Sequence, residues 1–264
     1  MLTEAKSQIK ISLLSIKYAF ARELLNKAAF FSNIFFMIIN NATMIVQWII
    51  LFSLRENFGG YTFKQVLVLW GLASFTYGIS HFFFRNAYFL SDTINSGKLD
   101  VYLVQPKNVL LSSIISDVEV SALGDILYGY IMLFLFGFSI KNFLLFTYFG
   151  ITGGFIMTAF TCILGSLSFW LKRAEQIADT GTSLMVNFAT YPDGIFKGIT
   201  RMLLFTLVPV GIANYLPVKI MTTFDIKLFL IVTIFTIFIV CLSFIVFNRG
   251  LKRYSSTNLM NARI

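Results

Sequence analysis

The chain has 264 residues, of which 57% are apolar or aromatic and only 12% charged, with a mean hydropathy of +0.79. A soluble domain carries about 25% charged residues, and 31 Phe with only four Pro and two Cys exclude disorder and a disulfide scaffold as well. The net charge of +9 gathers in short segments beside apolar runs, which is a topology signal of membrane proteins and not a nucleic-acid surface.

At 7–27, Ile9, Leu13, Ile16, Phe20 and Leu24 recur every three or four residues among Lys10, Lys17, Arg22 and Lys27. One apolar stripe with basic flanks predicts an amphipathic helix lying in the membrane interface. The same stripe also suits a helix docked on the protein itself. Apolar stretches follow at 28–54, 63–90, 109–139, 142–171 and 226–248, each long enough for the roughly 20 residues that cross a bilayer.

Residues 177–217 are apolar but interrupted by Gly181, Gly194, Gly198 and Gly211 and by Pro192, Pro209 and Pro217. They read as a short fifth span from Ile177 to Thr190, followed by a re-entrant or surface-lying hairpin at 192–217 on the outer side. The expected fold is one all-α integral membrane domain over 1–264. It has six transmembrane helices, an N-terminal interfacial helix and a broken hairpin between spans five and six. With both termini inside, the inner side carries 14 of the Lys and Arg residues, among them Lys172, Arg173 and Arg263, and the outer side 7. The first long apolar run has no small-residue cleavage site, so no cleavable signal peptide is expected. No internal repeat is evident.

No G-x-x-x-x-G-K-[ST] phosphate loop, nucleophile elbow, H-E-x-x-H helix or kinase signature occurs. Energy for transport would therefore come from an ion gradient or from a separate protein. His81 is the only histidine, and Cys162 and Cys241 lie inside apolar runs. That pattern points to two buried thiols and away from a zinc or haem site.

The polar groups within spans are the candidates for function. Asn40, Asn41 and Gln47 lie in the first span, where amides bond to neighbouring helices or contact a substrate. Asp117, Glu119 and Asp125 lie in the third, with His81 and Arg85 near the inner end of the second. Intramembrane charge is costly, so these acids serve ion pairing, conformational coupling or proton relay. The third run would be about 46 Å long as a helix, placing Asp117 and Glu119 at or below the interface and Asp125 deeper. Pairing with Arg85 is one option. Gly124, Gly129, Gly150, Gly153 and Gly154 would let helices approach closely, and Trp48, Trp70 and Trp170 could anchor at the interfaces.

Two stretches go beyond membrane composition. The loop after the second span reads Ser96-Gly97-Lys98-Leu99-Asp100-Val101-Tyr102-Leu103-Val104-Gln105-Pro106. Its G-x-L-D-x-Y-L-x-x-P pattern resembles the cytosolic coupling segment of ABC type 2 exporter permeases, in particular a six-span branch of roughly 260 residues. Tyr191-Pro192-Asp193-Gly194-Ile195-Phe196-Lys197-Gly198, with Pro209 and Asn214-Tyr215-Leu216-Pro217, resembles that branch's segment between spans five and six. The order of elements agrees over nearly the whole chain, including a short Lys172-Arg173 turn.

The resemblance implies half of an export channel in a bacterial cytoplasmic membrane, paired with a second copy or a sister permease. A cytosolic ABC ATPase would bind ATP and Mg and hydrolyse the ATP, so this chain would be no enzyme and hold no cofactor of its own. Carried over, Gly97, Leu99, Asp100, Tyr102, Leu103 and Pro106 at 94–107 would contact that ATPase. Asn40, Asn41, Asp125, Pro192, Pro209 and Pro217 remain candidates for the pathway or its conformational change. An apolar, aromatic path suits an amphipathic or hydrophobic substrate: a lipid, peptide or drug. The alternative is an ion-coupled secondary transporter or channel, supported by Asp125 and the interrupted 177–217 segment. A membrane-embedded enzyme would need a catalytic cluster that one histidine does not supply.

Overall fold

The computed structural model describes residues 2–171 and 174–255, so the Lys172-Arg173 turn and Arg263 lie outside the described residues. It is helical throughout, with no strand among the described residues. In chain order the helices are α1 (Leu2–Glu23), α2 (Lys27–Leu54), α3 (Phe63–Phe84), α4 (Leu90–Asn95), α5 (Asp100–Leu103), α6 (Val109–Ile114), α7 (Ala122–Gly137), α8 (Ile140–Ser166), α9 (Ala174–Ala189), α10 (Gly198–Thr206), α11 (Leu216–Thr222) and α12 (Ile226–Leu251).

Short polar side chains set several of the starts by accepting otherwise unpaired backbone N–H groups. Asn26 caps α2 through Ala29 N, and Thr62 and Gln65 form a reciprocal capping box on α3. Ser139 caps α8 through Asn142 N, and Asp225 caps α12 through Lys227 N.

Four segments are long and apolar enough to cross a membrane: α2, Phe63–Asn95 through α4, Ile140–Phe169 and α12. Counting α10 with Gly211–Thr222, bent by 80°, as one broken span makes five. The apolar α7 and the amphipathic α9 have 16 residues each; with the bent pair left as a hairpin, six crossings require both of them to cross as short helices.

The third apolar run departs from expectation. It is not one long helix: the chain leaves the helix between α6 and α7, and Asp117 and Glu119 sit in that break. Arg85 reaches both acids, at 3.6 Å to Asp117 Oδ2 and 3.3 Å to Glu119 Oε2, and Arg22 of α1 also bonds Asp117. Asp117 accepts the next residue's N–H at 3.0 Å, a local bond that competes with helix continuation. Only Asp125 of the three acids lies inside a helix of the bundle.

The core is α3, flanked by α7 and α8, with α2 against α7 and α12 against α8. Burial follows this order: 72% of the apolar window of α3 is buried and 61% of that of α8, against 11% for α2 and 22% for α12. The central helices touch through small residues, as membrane helices do. A methyl on Gly129 would lie 2.8 Å from the Gly71 carbonyl, and one on Gly150 would meet the Phe75 ring. Cys162 is buried, but Cys241 is exposed on α12, so the expectation of two buried thiols fails for the second. An apolar run on a peripheral helix keeps one face turned outward.

The described part of α1 is both docked and exposed. Ile16, Phe20 and Leu24 pack with Phe30, Val118 and Val120, while Ile9 and Leu13, one or two turns earlier on the same stripe, face outward.

Candidate functional site

Two regions bring the sequence's candidate residues together. The first is the 96–108 loop. Gly97 ends α4 with φ +76°, a left-handed conformation that glycine adopts without a Cβ penalty. The chain reverses there, and α5 divides its residues between two faces. Leu99 is completely buried in a cluster with Leu90, Ile94, Leu110, Cys162 and Phe247. Asp100 accepts a hydrogen bond from the Tyr254 hydroxyl at 2.8 Å, and the Tyr102 hydroxyl donates to Ser116 Oγ at 2.9 Å. Burial, then the bond to Asp100 and its charge, push the Tyr254 phenol above its ordinary range.

On the other face Val101, Leu103, Val104 and Pro106 are exposed, Val104 to 84%. Beyond α5 the loop is tied to α1, where Gln8 Oε1 accepts from Asn108 N at 3.0 Å and Lys107 Nζ donates to Ser7 Oγ at 2.5 Å. Of the six residues that the resemblance assigns to the coupling contact, Leu103 and Pro106 therefore face outward. Leu99, Asp100 and Tyr102 face the bundle, and Gly97 makes the turn.

The second region is a furrow bounded by α2, α3, α7 and α9. Its larger cavity, about 470 Å3, gathers Asn40, Asn41, Gln47, Asp125, Asn187 and Asn214. Asp125 is 3% exposed; its Oδ1 accepts from Asn41 Nδ2 at 2.7 Å and from Ser74 Oγ at 3.3 Å. The same Ser74 hydroxyl lies 2.9 Å from the Asp125 carbonyl, so α2, α3 and α7 meet at this acid. Trp70, Tyr77 and Tyr191 supply aromatic walls, and Met37, Met44 and Met185 line other sides.

A second cavity of about 370 Å3 shares Tyr77, Val186 and Asn187 with the first, so the two lie side by side. His81 lines it, held between Tyr77 and Tyr88 with both ring centroids 3.7 Å away. Tyr88 is fixed in turn by Ser80, 2.8 Å from its hydroxyl, and Ser80 by Thr158 at 2.8 Å. Asp179, Ser183 and Asn187 stand at four-residue intervals on α9 and form the furrow's polar edge.

The prolines lie outside this lining but shape the backbone that carries it. Pro192 is buried beside Gly59 and follows Tyr191; Pro209 is buried at the bend between α10 and Gly211–Thr222. Pro217 sits in the first turn of α11, after a π-helical turn at Gly211–Tyr215 that holds Asn214. The Tyr215 hydroxyl donates to the Phe188 carbonyl at 2.6 Å, joining this turn to the end of α9.

Two tryptophans are not interface anchors. Trp48 is 1% exposed and packs among Phe52, Phe58 and Tyr191, and Trp70 lines the cavity. Near them Asp193 pairs with Arg201 at 2.6 Å and bonds Tyr61. Burial and the Asp193 charge hold the Tyr61 phenol well above its ordinary range.

Residues that sequence reasoning passed over are Ser74, Thr76, Tyr77, Asn187 and Tyr254. The four-residue period of Asp179, Ser183 and Asn187 was the one signal that could have found the α9 edge. Tyr254 had none, because its partner is 154 positions away.

Among the described residues no group of three or more His, Cys, Asp or Glu side chains is placed to hold a metal ion. Comparison with known proteins gives a match to the family model described as ABC-2 family transporter protein over residues 38–258, most of the chain and both regions above. No curated protein and no solved structure shows significant similarity.

Proposed function

Because the chain belongs to the ABC-2 family of transporter proteins, we propose that it is the six-span membrane subunit of an ATP-driven exporter, powered by a separate ATPase chain. The end of the bundle that carries the 96–108 loop faces the cytosol of a bacterial cell, and the 192–217 hairpin lies on the outer side. A second copy or a sister subunit completes the pathway, and the furrow lined by Asn40, Asn41 and Asp125 is this chain's half of it. The substrate is amphipathic or hydrophobic.

The observation that carries the coupling role is the division of the 96–108 loop. Val101, Leu103, Val104 and Pro106 offer an apolar face to a partner, while Leu99, Asp100 and Tyr102 are bound into the bundle behind it. A push on the exposed face reaches α4 and α8 through Leu99, the end of α12 through Tyr254 and α1 through Gln8. A short, hydrogen-bonded element of this kind transmits displacement because its packed side cannot deform independently.

Placing a charge on that face tests the reading. Val104→Asp, in the full chain expressed with its ATPase, leaves the thermal midpoint of the isolated subunit unchanged. It lowers recovery of the ATPase with the subunit and ATP-driven export by tenfold or more. Undiminished recovery and export in that variant would remove the loop from the interface.

A further inference from the structure

The larger cavity concentrates polar atoms that the protein leaves unpaired. Asp125 Oδ2, both side-chain heteroatoms of Asn214, Thr76 Oγ1 and Trp70 Nε1 are buried and have no hydrogen-bond partner among the described residues. All four residues line this one cavity. Asn214 is 1% exposed and Asp125 3%, so neither is satisfied simply by projecting outward. An unpaired buried donor or acceptor is costly. Four residues that carry such groups line this one cavity, which marks it as a candidate ligand site.

Charge narrows the ligand class. In a chain with 21 Lys and Arg against 12 Asp and Glu, the two adjoining cavities are lined by Asp125 and Asp179 and, among the described residues, by no Lys or Arg. Asn41 and Ser74 hold Asp125 Oδ1, leaving Oδ2 as its unpaired oxygen. A carboxylate in low-dielectric surroundings interacts strongly with an opposite charge brought beside it. The rings of Trp70, Tyr77 and Tyr191 add sites that attract cations, and Met37, Met44, Met157 and Met185 form an adaptable apolar surface.

We propose that this cavity is the substrate site and takes an amphipathic monocation, an ammonium-like or guanidinium-like charge on an apolar body. Asp125 is the counter-charge, Asn214 and Thr76 complete the polar contacts, and the Met and aromatic residues hold the apolar part. The proposal rests on the transporter reading, but binding can be tested without transport.

The probes are tetraphenylphosphonium and tetraphenylborate, nearly identical in shape and opposite in charge. They are titrated against the full-length purified subunit in zwitterionic-lipid nanodiscs, with empty nanodiscs as the partition control. The wild type is expected to bind the cation at least tenfold more tightly than the anion and to gain thermal stability from the cation alone. Asp125→Asn is expected to erase the preference and Asp125→Glu to keep it.

A cation affinity unchanged in Asp125→Asn, or a wild type without charge preference, would overturn the assignment. The wild-type thermal shift reads that preference even if the variants fail to fold. Failure of the transporter reading shows separately, as a subunit that binds the cation but recovers no ATPase and supports no ATP-driven efflux.

Discussion

At the hairpin end of the bundle two backbones lie directly against each other, since a methyl on Gly194 would sit 2.0 Å from the Gly59 carbonyl oxygen. At the loop end the connections are long side chains: Arg22 and Arg85 to Asp117, Arg85 to Glu119, Gln8 to Asn108 and Tyr254 to Asp100. Backbone contact leaves little freedom, because neither partner can rotate away. Side-chain links keep their ends joined while the elements shift by an ångström or more. The contrast bears on the proposed coupling: side-chain links at the loop end allow a displacement that the backbone contact at the hairpin end resists.

The loop end has one rigid point, and removing it should have the largest effect. Leu99→Ala empties a fully buried position in the α4–α8–α12 cluster and is expected to destabilise the subunit by about 3 kcal/mol. Thermal unfolding of the purified variant measures it; a shift no larger than that of a surface substitution would mean that the loop is not anchored there. Gly194→Ala attacks the hairpin end and is expected to cost about 2 kcal/mol through overpacking against backbone. A neutral result would show that the two backbones can separate, which would erase the contrast between the ends.

Tyr254→Phe removes a single hydrogen bond and is expected to cost about 1 kcal/mol or less, while reducing ATP-driven export more than stability. Because the Tyr254 phenol is raised in the folded chain, its contribution is complete below the ordinary Tyr range and is lost only as pH rises through the folded value. The difference between wild type and variant should therefore be constant from pH 6 to about 9. A difference that collapses within that interval would identify another group as the titrating partner of Asp100.

The sequence made some parts of this molecule plain for reasons that are physical. α12 reads as a span because 26 residues of nearly unbroken apolarity have no other stable solvent than lipid. The break before α7 was hidden because hydropathy averages over residues, whereas the break depends on Arg85 and Arg22 reaching Asp117 and Glu119 across more than 30 positions of sequence.

The furrow was half legible. Asn40, Asn41 and Asp125 stood out as polar groups in apolar runs, but Ser74 and Thr76 are common in membrane helices, and only the crossing of α3 with α7 turns Ser74 toward the acid. The pattern in the 96–108 loop marked the right segment. It could not separate the inward Leu99 from the outward Val104, because a one-turn helix carries too few residues to show a period.

The position of α1 has a consequence for how the chain is made. Its contacts run from Gln8 to Asn108, 100 residues later, and from Arg22 to Asp117, 95 residues later. At roughly 5–20 residues per second of synthesis, α1 leaves the ribosome several seconds or more before any of these partners exists. During that interval its stripe from Ile9 to Leu24 has lipid and the nearby Phe30 to rest on, but not Val118 or Val120. The basic residues among the stripe then act as a temporary mooring on anionic headgroups. Part of that mooring is exchanged for protein once residues 108–120 have been made: Ile16, Phe20 and Leu24 pack with Val118 and Val120 beside Phe30, while Ile9 and Leu13 stay outward.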